Sequence, residues 1–175
     1  MEGDLCKIKP MSLTQECHTI IQNITDQLYP VIMDHLKNIQ PLKIKYLDDD
    51  SFANIFDLLD ELNDEFISLS KYETRLMFPL ILNLFKEDCK SMENCNHATE
   101  LQTLITKKED RINNLVLSLE VEAELLEPEK KETVLSIINI FAHNYTNTKH
   151  ELHKCILQLQ RKKGIIVNQK SEKEA

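Results

Sequence analysis

The sequence predicts an all-α protein: an antiparallel up-down-up-down bundle of four long helices. Three observations carry this. Apolar residues recur at alternating steps of three and four along most of the chain, the spacing of one buried helical face. The 175 residues include only 2 Gly and 5 Pro, so turns are few and elements are long. Strand signals are nearly absent, and the two apolar runs Leu42 to Leu47 and Ile165 to Val167 are too isolated to pair. With 42% hydrophobic residues, the chain can fill one core of ordinary domain size.

Residues 1–11 carry Gly3 and Pro10 and read as a flexible lead-in to a bundle domain over 12–163. Ser12 or Thr14 can cap a first helix over about 13–39, with Ile21, Ile24, Leu28, Val31, His35 and Ile39 facing inward. Pro30 inside it is expected to kink it or remove one backbone bond, and Pro41 to close it. A connector over 42–50 ends in Asp48, Asp49 and Asp50, whose charges suit the N-terminal dipole of the next helix. That second helix spans about 51–88, and Pro79 is expected to kink it. A polar loop around 90–96 leads to a third helix over about 96–126, with Leu101, Leu104, Ile112, Leu115, Leu119 and Leu126 inward. Pro128 suits the first turn of a fourth helix that turns Val134, Ile138, Phe141, Tyr145, Leu152, Ile156 and Leu159 inward and stops at Gly164. The polar residues 164–175 read as a disordered tail. The sequence reads as having no internal repeat and no low-complexity domain.

Charge and cysteine content bound the function. A net charge of −8 argues against direct nucleic-acid binding, which relies on basic patches. The one basic cluster, Arg161, Lys162 and Lys163, matches the dipole at a helix C-terminus. Five cysteines, an odd number, without a signal peptide suggest a reduced cytoplasmic protein with free thiols; Cys89 and Cys95 could pair under oxidation. No apolar run is long enough for a transmembrane helix, so no membrane association is expected.

One residue breaks the pattern. The second helix reads Phe52, Ile55, Leu59, Leu62, Phe66, Leu69, then Glu73, then Leu76 and Leu80. A carboxylate in an apolar seam is costly unless something pairs with it. His97, one turn before Leu101, can approach Glu73 if neighbouring helices run in opposite directions; the pair could bind metal or form a buried ion pair. His35 reads as a core histidine with a hydrogen-bond partner, whereas His18, His143, His150 and His153 read as solvent-facing. No nucleophile arrangement, glycine-rich phosphate loop or Cys-x-x-Cys is present, so no enzymatic activity is expected.

The segment Leu69-Ser-Lys-Tyr-Glu73-Thr-Arg-Leu-Met-Phe78-Pro79, with Asn96-His97 ahead of the third apolar stripe, resembles the hemerythrin-like (HHE cation-binding) domain family, including the di-iron iron-sulfur cluster repair proteins. The resemblance covers about residues 18–160 and implies a four-helix bundle around two irons held by inward histidines and bridging carboxylates. Glu73 matches a bridging carboxylate and His97 the third-helix histidine. The second-helix histidine position is Leu69, and the first-helix position falls at Leu28 or Tyr29. The fourth-helix pair falls at Asn144 and Thr148, or in a slipped register at Asn147 and Glu151, which makes Glu151 a weaker metal candidate. The resemblance therefore implies a degenerate metal site with Glu73 and His97 as remnants, no resident cofactor, and a regulatory or protein-interaction role with a protein partner. The alternative it implies is a working non-haem iron protein that senses oxygen or nitric oxide or repairs iron-sulfur clusters.

Overall fold

The computed structural model describes the backbone of residues 12–86 and 92–162, and the side chains of residues 12–83 and 103–157. Among these residues there is no strand. The helices are α1 (Leu13–Asn23), α2 (Tyr29–Lys37), α3 (Ile39–Lys45), α4 (Ala53–Tyr72), α5 (Phe78–Lys86), α6 (Met92–Glu124) and α7 (Pro128–Lys162). They form four rods, because a π turn over Ile24–Leu28 joins α1 to α2 and another over Glu73–Met77 joins α4 to α5. The expected lead-in (1–11) and tail (164–175) lie outside the described residues.

Local chemistry accounts for the ends. Ser12 and Gln15 form a reciprocal capping box at the start of α1, satisfying backbone N–H groups that the first turn leaves unbonded. Asp49 accepts from the Ser51 amide at 3.1 Å and opens a single 3-10 turn ahead of α4. Pro128 is the first residue of α7, where a missing N–H costs nothing. Pro41 does not close its segment as expected. It sits in the first turn of α3, again where no N–H is needed, so part of the expected connector is helical. The third helix likewise begins at Met92, inside the expected loop.

The expected kinks at Pro30 and Pro79 take a specific form. A proline inside a helix cannot donate to the carbonyl four residues back, and its ring crowds that carbonyl. Here the turn upstream widens instead: the Tyr29 amide bonds to the Ile24 carbonyl, and the Phe78 amide to that of Glu73, each five residues back. Each widened turn inserts one extra residue and advances the buried face by one. Beyond the first, the core residues are Tyr29, Ile32 and Leu36, in place of the expected Leu28, Val31 and His35; Val31 is 52% exposed. Beyond the second they are Met77, Phe78 and Ile81, in place of Leu76 and Leu80; Leu76 is 47% exposed. On α6, Ile105 is buried where Leu104 was expected.

The rods share one core that draws side chains from every one of them. α4 packs along α6, and α7 packs against α1, α2, α5 and α6. Polar contacts show the order of each pairing. As α4 advances from Glu61 to Glu65 and Ser68, its partners on α6 fall back from Arg111 to Lys108. As the first rod and its connector advance from Cys17 through His35 to Asp49, their partners fall back from Cys155 through Ile137 to Lys130. His35 is half-buried and its Nε2–H donates to the Ile137 carbonyl at 2.9 Å, the partner expected of a core histidine. His18, His143, His150 and His153 are exposed, as expected.

The expectation of free thiols is overturned for one pair. Cys17 and Cys155, both inaccessible to solvent, are joined in a disulfide with Cα atoms 5.2 Å apart. The odd cysteine count points to free thiols, and with 137 residues between Cys17 and Cys155 no local sequence pattern couples the two. Cys6, Cys89 and the Cys95 side chain lie outside the described residues, and with them the expected Cys89–Cys95 pairing.

Candidate functional site

Glu73 opens the second π turn and is 3% exposed. Its partner is Tyr29, the first residue past the other π turn, whose hydroxyl donates to Glu73 Oε2. The two widened turns therefore face each other across the core, and their local sequences echo one another. Ile24-Thr-Asp-Gln-Leu-Tyr-Pro30 and Glu73-Thr-Arg-Leu-Met-Phe-Pro79 share Thr, apolar, aromatic and Pro at matching places. The matched threonines act alike: Thr25 Oγ1 donates to the Ile21 carbonyl at 2.9 Å, and Thr74 Oγ1 to that of Ser70 at 2.7 Å. The matched aromatics, Tyr29 and Phe78, stack at 6.3 Å between ring centres.

Aromatic rings pack around Tyr29, the partner of the carboxyl group. Phe66 meets Tyr29 edge-on at 5.7 Å and Phe141 edge-on at 5.9 Å, while Phe141 stacks on Tyr145 at 5.6 Å. This apolar wall sets the electrostatics. Burial pushes the Glu73 carboxyl up to about 8, and the negative charge of Glu109 on α6 pushes the same way against Lys149 on α7. Glu73 is therefore predominantly neutral at pH 7. A protonated carboxylic acid has an O–H to donate and an oxygen to accept from Tyr29.

Glu109 and Lys149 form the polar rim of the site. They pair at 3.5 Å, and Lys149 Nζ lies 5.5 Å from the centre of the Tyr145 ring. Burial raises the Glu109 carboxyl from its ordinary value, with Lys149 opposing. Tyr145 is 5% exposed, and its hydroxyl has no hydrogen-bond partner among the described residues. Burial raises its pKa too, helped by Glu109 and Glu73. Each rod thus contributes a polar group: Tyr29, Glu73, Glu109, and Tyr145 with Lys149.

The sequence-derived candidates divide as follows. Glu73 is in the core, as expected. The His97 side chain lies outside the described residues, and with it the expected Glu73–His97 contact. Glu151 is half-buried and pairs with Lys154 one turn along α7 at 2.5 Å. Leu69, at the position of the family's second-helix histidine, is fully buried. Of the two first-helix alternatives, the structure puts Tyr29 against Glu73 and leaves Leu28 half-buried. Asn144 is half-buried, and Thr148 is buried with its hydroxyl donating to the Asn144 carbonyl at 3.0 Å. Sequence reasoning missed Glu109, Tyr145 and Lys149 as members of this cluster. The aromatic-proline pairs after each widened turn were the available signal for Tyr29.

The described residues do not fit a di-iron centre. No group of three or more His, Cys, Asp or Glu side chains among them converges as a metal site. Glu73, the core carboxyl, is engaged by the Tyr29 hydroxyl. Neither a family model, nor a curated protein, nor a solved structure matches this chain.

Proposed function

We propose that this chain is a hemerythrin-type antiparallel four-helix bundle that has largely lost its di-iron site and works as a regulatory or protein-interaction module. The observation that carries the reading is the Tyr29–Glu73 pair: a core carboxyl, at the bridging-ligand position of the motif, bonded to a phenol from the facing rod. Support comes from the positions around it, where Leu69, Asn144 and Thr148 stand at the places the resemblance assigns to metal ligands. The opposed order of the α4–α6 and α1–α7 contacts agrees with an up-down-up-down path. In this reading the bundle keeps the architecture of an iron protein, while a neutral hydrogen-bonded pair fills the centre. No helix among the described residues is long and apolar enough to cross a membrane.

Anaerobic loading with ferrous iron, desalting and elemental analysis test the proposal. Substoichiometric iron, with no oxo-to-iron absorption after exposure to air, is the expected result. Two tightly held irons per chain would establish the competing reading of a working non-haem iron protein.

A further inference from the structure

Core packing leaves one face of α6 uncovered among the described residues. Leu117 and Val121 on α6, and Leu125 in the turn that ends it, follow at steps of four and so share one side. They are 58%, 65% and 78% exposed. Leu115, Leu119 and Ala123 in the same stretch are buried, and each is separated from the next exposed residue by about 200° of helical rotation. A surface helix ordinarily carries polar residues on that outer side, and a run of exposed aliphatics marks a contact surface. Ile44 and Leu47, also exposed, lie at the same end of the molecule, because Asp49 pairs at 2.7 Å with Lys130 in the first turn of α7.

Charge identifies the occupant. Residues 112–129 contain Glu120, Glu122, Glu124, Glu127 and Glu129 and no Lys, Arg or His. Glu124 is paired with Lys131 and Glu127 with Lys130, whereas Glu120 and Glu122 make no ion pair among the described residues. A second copy docked here would oppose these carboxylates to their own kind on a chain of net charge −8. We infer that the outer face of α6 docks a basic amphipathic helix of another protein, whose aliphatic stripe covers Leu117, Val121 and Leu125 while its lysines or arginines meet Glu120 and Glu122. The inference rests on the interaction-module reading above and names the surface and the partner's chemistry.

The test uses the full chain and a fluorescent synthetic helix of leucine and lysine with all leucines on one face. A second peptide of equal composition has its leucines scattered around the helix. Anisotropy should show saturable one-to-one binding of the first peptide and binding weaker by about tenfold or more for the second. A triple Leu117→Ser, Val121→Ser, Leu125→Ser variant, shown folded by circular dichroism, should lose at least about tenfold. A Glu120→Gln, Glu122→Gln variant should weaken binding and flatten its salt dependence. Equal binding of both peptides, or indifference to the serine changes, overturns the inference. So does a concentration-dependent dimer in sedimentation that the serine changes abolish, because the occupant is then a second copy. Iron content measured on the same preparation separates the two claims: stoichiometric iron overturns the parent reading alone, and failed peptide binding on iron-free protein overturns this surface alone.

Discussion

Replacing Glu73 by glutamine should make the protein more stable at neutral and alkaline pH while leaving it nearly unchanged in mild acid. Glutamine preserves the size of the side chain, the oxygen that accepts from Tyr29 and a donor in place of the acid proton. What it removes is ionisation. The folded-state pKa of Glu73 stands near 8, against 4.5 for the unperturbed group, so between those values the folded chain holds a proton that the unfolded chain has lost. The stability linked to this proton is fully present below about pH 4.5 and is lost as pH rises toward 8. Each pH unit inside the window is worth about 1.4 kcal/mol. At pH 7 the wild type should therefore lie ~3 kcal/mol below its acid plateau on account of this group, or roughly 6–12 °C in Tm for a domain of this size. Urea unfolding of both proteins at half-unit steps from pH 4.5 to 8.5 measures the difference directly. The two curves should meet near pH 4.5 and diverge steadily above it. Parallel curves would mean that Glu73 is ionised in the folded protein, and the picture of a neutral core acid would be wrong.

Three further predictions follow from particular contacts. Tyr29→Phe removes the hydroxyl that Glu73 accepts from and should cost about 1–2 kcal/mol in chemical denaturation while driving the carboxyl pKa higher still; an unchanged stability and pH profile would contradict the bond. Cys155→Ser opens a covalent loop that spans almost the whole chain and should lower stability by up to about 5 kcal/mol, provided that mass spectrometry first finds the wild type two hydrogens lighter than its reduced form; a wild type already at the reduced mass refutes the bridge. Val31→Lys and Leu76→Lys should each change stability by less than ~0.5 kcal/mol, whereas Ile32→Ala and Met77→Ala should each cost about 2–5 kcal/mol; the reverse order would remove the one-residue advance at both π turns.

The helical class, the first-helix cap, the Pro128 start and much of the α4, α6 and α7 faces were legible because each depends on neighbours three or four residues away. The phase of the first rod was not. A constant period through Ile24 predicts Leu28, Val31 and His35, and the widened turn ahead of Pro30 moves the seam to Tyr29, Ile32 and Leu36. The same mechanism ahead of Pro79 exchanged Leu76 for Met77. Proline announced the disturbance in both places, but helical periodicity alone cannot say whether a helix kinks, breaks or widens. Glu73 stands out because a single acid interrupts an otherwise apolar seam at the first residue of the widened turn, before the phase shifts. Its surroundings did not stand out. Tyr29, Glu109 and Tyr145 are ordinary residues on separate helices, and only tertiary packing brings them together. The Cys17–Cys155 bridge is a stronger case, since its two halves lie near opposite ends of the described chain and no local pattern couples them.

The proton on Glu73 can be observed directly. An infrared difference spectrum between wild type and Glu73→Gln at pH 7 should contain the C=O stretch of a protonated carboxylic acid, and anaerobic addition of ferrous iron should leave that band in place. Carboxylate bands in its stead, shifting as iron is added, would show an ionised ligand at the centre of the bundle and contradict the account.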